Sequence, residues 1–183
     1  SLENSKKKYA LFFEDDYILG KNYLTALNLL MEWAVEKDEI AIVTAHGIIA
    51  EYLDSKFNDI SKDFSQGPLP IHSLWAFAIK LEHIEERKTF IDEYLSLMKN
   101  SPYHKRNNNL ILNFFKSKGL GYIHGTSQDY AKHAALIYFD KLALTIPYYL
   151  GEYIGIKGEH SNLEIFKELG YYNKKADVLN ISE

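Results

Sequence analysis

The chain has 183 residues, 46% of them hydrophobic, and a formal net charge of −4, which is enough apolar material for a domain with a buried core and too mild a charge for a disordered chain. Lysines and arginines are scattered among acids rather than gathered in a stripe, so a phosphate-tracking surface is not indicated and nucleic acid is excluded as a first partner. The lack of cysteine rules out disulfides, zinc ribbons and thiol nucleophiles and is compatible with a reducing cytoplasm; no apolar run approaches the roughly 20 residues that cross a bilayer, so no transmembrane segment is expected.

Ser1 and Leu2 precede a polar "ENSKKK" and read as a cloning remnant. "YALFF", Tyr9 to Phe13, is short and aromatic, as expected of a strand buried on both faces, and it runs into Glu14, Asp15 and Asp16. From Asn22 to about Val35 the residues Leu24, Leu27, Leu30, Met31 and Ala34 recur at helical spacing. "EIAIVTA", Glu39 to Ala45, reads as a second buried strand, so this strand, helix, strand order predicts a crossover and an at least partly parallel sheet. Asp59 to Pro70, with its prolines and glycine, is expected to be a mobile loop. "HSLWAFAIKL" predicts a strand, and helices are expected over about Ile84 to Lys99 and His104 to Lys118, the latter closed by Gly119. "LGYIHGTS" reads as a short strand before a helix capped by Ser127, with Asp129 in its first turn. The tail alternates "LALTIPYYL" with the glycine-rich "GEYIGIKGEHS", Gly151 to Ser161, and ends in a short helix around Asn162 to Leu169.

Along an extended chain alternate side chains share a face, so Glu14 and Asp16 should converge just past a strand end, where open α/β sheets place their ligand crevice. Like charges beside an apolar run need a positive partner, and a hard divalent ion, Mn²⁺ or Mg²⁺, suits such oxygen ligands while keeping positions for substrate phosphates. Solvated loop acids are the bland alternative. The glycines of "GEYIGIKGEHS" let backbone approach a ligand, Lys157 offers a point charge to phosphate and His160 a metal ligand, although a plain turn is equally consistent. At a helix start the Asp129 carboxylate is fixed by exposed N–H groups, which suits a general base, and His133 follows at i+4 to pair with it, although by itself the spacing favours an ordinary helix-start charge with a surface histidine. Trp75 reads as core or as a platform for a sugar ring.

The order of these segments resembles the GT-A-fold glycosyltransferases. "ALFFEDDYILGKNYL" is similar to their apolar strand with its D-x-D or E-D-D cluster, "SLWAFAIK" to their central tryptophan segment, "TSQDYAKHAAL" to their acid at a helix start, and "YIGIKGEHS" to their late glycine and histidine loop. The resemblance implies an α/β fold, a partial GT-A-like mixed sheet flanked by helices, within a single domain spanning residues 1–183. In the family, strands that cradle the nucleotide precede the acids; here only a few residues do, so the sheet would lack its N-terminal nucleotide-binding strands and the chain would be a fragment of a larger catalytic domain.

The implied activity is metal-dependent transfer of a sugar from a nucleotide-sugar donor to a carbohydrate or other hydroxyl acceptor, with inversion. Asp16, Glu14 and His160 would hold the metal; Glu14, Asp15, Lys157 and Ser161 would contact the donor; Trp75 and Gln128 would contact the acceptor; Asp129 would be the base. The alternatives are a non-catalytic truncated α/β module that docks on a partner or forms a homodimer through an exposed sheet edge, and a metal-dependent phosphotransferase or hydrolase.

Overall fold

The two strands with fully buried side chains form the centre of the sheet: β3 (Ile40–Thr44, "IAIVT") and β5 (Ala76–Lys80, "AFAIK"). They belong to a computed structural model that describes residues 8–46, 68–71, 74–99, 102–146, 150–155 and 163–168. With β1 (Tyr9–Phe13), β4 (Leu69–Pro70) and β6 (Leu142–Thr145) they make a five-stranded sheet in the order β1, β5, β3, β6, β4. β5 is antiparallel to both β1 and β3, β6 is parallel to β3, and β4 is antiparallel to β6. The fold is therefore α/β with a mixed sheet. β1 and β3 point the same way, as the crossover reading requires, but β5 lies between them.

Alternation along β5 divides the core. Ala76 and Ala78 face α1 (Tyr23–Ala34), which buries Tyr23, Leu27, Leu30 and Ala34 against them. Phe77 and Ile79 face the other way and pack with Ile42, Ala143 and Leu136. On that side lie α2 (Leu81–Leu97), α3 (Asn108–Ser117) and α4 (Gln128–Tyr138), which share a cluster built on Phe90, Tyr94, Ile111, Phe115, Ala131 and Ala135. A small antiparallel pair, β2 (Tyr17–Leu19) with β7 (Gly151–Tyr153), sits apart from the main sheet, and a short α5 (Leu163–Glu168) follows.

Three expectations are corrected. The first strand is not buried on both faces: it is an edge with one neighbour, and Leu11, Phe12 and Phe13 are 44% exposed or more. "LGYIHGTS" forms no strand. Its Leu120 and Ile123 are drawn into the helical core instead. Side chains satisfy its polar groups in place of a ladder: Tyr94 donates to the Thr126 carbonyl (3.0 Å), Arg106 Nε to Thr126 Oγ1 (3.1 Å), and Thr126 Oγ1 to Asn108 Oδ1 (2.7 Å). The helix expected from His104 starts at Asn108, because Asn107 caps it by accepting from the Leu110 N–H at 3.2 Å, and Tyr103–Lys105 form a separate 3₁₀ turn. Gly119, at φ +79°, ends that helix as expected. Of the loop expected over Asp59 to Pro70, residues 59–67 lie outside the described residues, and Leu69–Pro70 pair with β6. No described helix is long and apolar enough to cross a membrane.

Candidate functional site

The β1–β5 ladder carries one rung past Phe13, with Glu14 N–H donating to the Trp75 carbonyl at 2.9 Å. Glu14 is thus fixed at the strand end. The chain then turns through Asp15 and Asp16 into β2, and the Asp16 carbonyl accepts from Ile154 N–H at 2.8 Å, tying the acid turn to the segment after β7. Asp15 is exposed in that turn.

Asp16 is more enclosed. Tyr153 hydrogen-bonds its carboxylate, and burial first, then the charge of Asp16, pushes the Tyr153 hydroxyl up to about 12. A Cβ at Gly155 would collide with that hydroxyl and stand 2.6 Å from Asp16 Oδ2, so only glycine lets the backbone pass here. The other oxygen, Asp16 Oδ1, is buried and has no hydrogen-bond partner among the described residues.

From the opposite side comes α4. Ser127 caps it by accepting from the Tyr130 N–H at 3.4 Å, as expected, which places Asp129 in the first turn. Lys132 lies one turn on, its Nζ 2.9 Å from Asp129 and 4.0 Å from Glu14. The positive partner that the acids require is therefore, in part, a lysine. Glu14 titrates above the usual carboxylate range: its partial burial is the largest cause, Lys132 opposes it, and Asp129, Asp16 and Asp15 add to it. Those couplings bring Glu14, Asp16 and Asp129 into one electrostatic cluster, from two strand-end positions and a helix start distant in sequence.

Trp75 is half-buried, stacked on Tyr153 (4.7 Å between centroids, 13° between planes) and edge-on to His46 (4.6 Å, 80°). The core role fits these contacts. His46 ends β3, buried, with Nδ1 hydrogen-bonded to the Tyr17 hydroxyl at 2.7 Å, and burial lowers its pKa to about 4. Gln128 is exposed at the first position of α4, and its N–H donates to the Tyr103 hydroxyl at 3.2 Å. Lys157, His160 and Ser161 lie outside the described residues.

A cavity of about 480 Å³ opens beside the acids, between β1, β5, α2 and α4, with Glu14, Gln128 and Lys132 in its wall. Sequence reasoning missed Lys132, although its i,i+3 spacing from Asp129 was a usable signal. It also missed Tyr153, which no local spacing connects to Asp16.

Among the described residues no group of three or more His, Cys, Asp or Glu side chains could hold a divalent ion. A buried, unpartnered Asp16 Oδ1 with Glu14 nearby still fits a hard cation that takes one or two carboxylates and keeps its remaining positions for water and phosphate. Compared with family models, with curated proteins and with solved structures, the chain finds no significant match in any of the three.

Proposed function

We propose that this chain carries the acidic centre of a metal-dependent glycosyltransferase, GT-A-like in its sheet, which moves a sugar from a nucleotide-diphosphate donor to a hydroxyl acceptor. The observation that carries this reading is the electrostatic cluster of Glu14, Asp16 and Asp129 around Lys132, with Glu14 and Lys132 in the wall of one cavity. Asp16 and Glu14 are the described residues that would hold Mn²⁺ or Mg²⁺. When bound, that ion supplies positive charge to offset the leaving diphosphate.

The chain's own residues supply the rest. Asp129 takes the proton of the acceptor hydroxyl as that oxygen attacks the anomeric carbon, giving inversion. Lys132, at 2.9 Å, holds the Asp129 carboxylate in place and screens it from Glu14. Lys157 and Ser161 stay assigned to the donor and His160 to the metal, on the resemblance alone. The cysteine-free composition fits a cytoplasmic enzyme.

Calorimetric titration of Mn²⁺ together with a nucleoside diphosphate tests the reading. Asp16→Ala should abolish the metal-dependent part of binding, and equal binding by wild type and variant sinks it.

One observation favours a second reading, a non-catalytic module that self-associates. Among the described residues β1 pairs on one side only and has Leu11, Phe12 and Phe13 exposed beside it, the arrangement that recruits another strand. Light scattering on the eluting protein should then give the mass of a dimer, and a monomer at every concentration removes that reading.

A further inference from the structure

The cavity wall carries an arginine as well as Glu14 and Lys132. This is Arg87 of α2, and its Nη1 is buried with no hydrogen-bond partner among the described residues. Asp92 lines the same cavity, yet no ion pair joins it to Arg87 among the described residues. Burial lowers the Arg87 pKa. By contrast, Lys118 sits 2.8 Å from Glu93, and Lys132 is engaged by Asp129 and Glu14.

A guanidinium stays charged at any physiological pH, so a half-buried one whose Nη1 is enclosed without a partner among the described residues is a cost that an incoming anion relieves. The wall around it is apolar and aromatic. Phe12 stacks on Phe77 (5.2 Å, 15°), and Ile91, Tyr94 and Leu95 line the same cavity. At 480 Å³ the space falls within the about 300–1,000 Å³ of small-molecule sites.

We propose that this cavity binds an amphipathic acid, an apolar or aromatic body bearing a carboxylate or phosphate, with Arg87 as the anchor for the anion. If the transferase reading holds, that acid also bears a hydroxyl and is the acceptor, because Glu14, Gln128 and Lys132 share the cavity wall. Only the word acceptor rests on that reading. Charge complementarity favours a small acid over a docked protein segment: Lys88 and Asp92 also line the cavity but are exposed to solvent, whereas Arg87 has a buried, unmatched Nη1 among the described residues and can take a carboxylate or phosphate in two parallel hydrogen bonds.

The test titrates the wild-type chain with 2-naphthoate, 2-naphthyl phosphate and the neutral 2-naphthol, at low and high salt. Both acids should bind about tenfold or more tightly than the alcohol, and the stronger of the two identifies the anion. Arg87→Gln should remove the preference, Arg87→Lys should restore part of it, and Ile91→Trp, which fills the cavity, should block all three probes. Should Arg87→Gln fail to fold, a shift of the wild-type guanidinium resonances by the acids and not by the alcohol gives the same reading. Equal affinity for acid and alcohol, undiminished binding in a folded Arg87→Gln, or no binding of any probe to millimolar concentration overturns the proposal; in the last case a protein segment is the better occupant. Acid binding without any Mn²⁺ and nucleoside diphosphate response keeps this site and removes the transferase reading. The reverse pattern does the opposite.

Discussion

Buried polar groups beneath α1 and those around the acid turn and α2 are treated differently by the chain. Under α1, the Tyr23 hydroxyl donates to the Ala76 carbonyl at 2.6 Å and lies 3.1 Å from Thr44 Oγ1, which itself donates to Ala76 and accepts from the His46 N–H. Every one of these groups is satisfied from within. At the other region, Asp16 Oδ1, His83 Nε2 and Arg87 Nη1 are buried and unmatched among the described residues. Folding alone gives no reason to bury a group without a partner, since each costs about 1–3 kcal/mol. Beneath α1 the Tyr9 hydroxyl is also buried without a partner among the described residues, so the contrast is one of charge: the first region leaves one neutral hydroxyl unmatched, and the second leaves a carboxylate and a guanidinium to be met from outside.

The largest way to break this contrast is chemical. In the transferase reading, Asp129→Asn keeps the shape and the helix start but removes the base, so turnover should fall about a hundredfold to ten-thousandfold while Mn²⁺ and nucleoside diphosphate still bind. Unchanged turnover in single-turnover kinetics would return Asp129 to the status of an ordinary helix-start charge.

Next in size is a pH effect in the satisfied region. The native pKa of His46 lies below that of an unfolded histidine, so between about 6.5 and about 4 the unfolded chain binds the extra proton. Stability present above pH 6.5 is therefore lost as pH falls to about 4, by about 3 kcal/mol at 1.36 kcal/mol per unit. Urea unfolding of wild type and His46→Gln across this window should show the slope in the first and its loss in the second. Parallel curves would mean that His46 is not the buried neutral group that its packing against Tyr17 and Trp75 describes.

Much of the fold was legible because its signals are local. The apolar runs of β3 and β5 carry their own burial, the Ser127 cap and Gly119 mark helix boundaries by their own chemistry, and α1 follows its helical spacing. What failed was what depends on neighbours. Whether "YALFF" is central or at an edge is decided by pairing with a strand more than sixty residues later, and whether "LGYIHGTS" joins a ladder is decided by Tyr94, Arg106 and Asn108 offering it hydrogen bonds instead. At the site, the acid at a strand end and the acid at a helix start could be named from sequence. Lys132 between them, Tyr153 on Asp16 and the unpaired Arg87 could not, because each is defined by a contact across the fold or by the lack of one.

The smallest effect sharpens the comparison most, because its sign separates a site from a scaffold. Glu14 has a raised pKa in the folded state, so its protonated form is favoured by folding: the stability it contributes is present below the unfolded carboxylate value and is lost as pH rises through the folded one. At neutral pH the ionised side chain therefore works against the fold. Glu14→Gln keeps the shape, removes that charge and relieves its repulsion with Asp16 and Asp129, so stability at pH 7 should rise by under about 1 kcal/mol, because the side chain is 44% exposed and solvent screens it, and the protein should melt slightly higher. The same substitution should weaken Mn²⁺ binding. A residue that lowers stability and raises affinity for a cation is retained for binding. If Glu14→Gln instead melts lower, its ion pair with Lys132 outweighs the repulsion, and the acids are held together by that lysine for the sake of the fold.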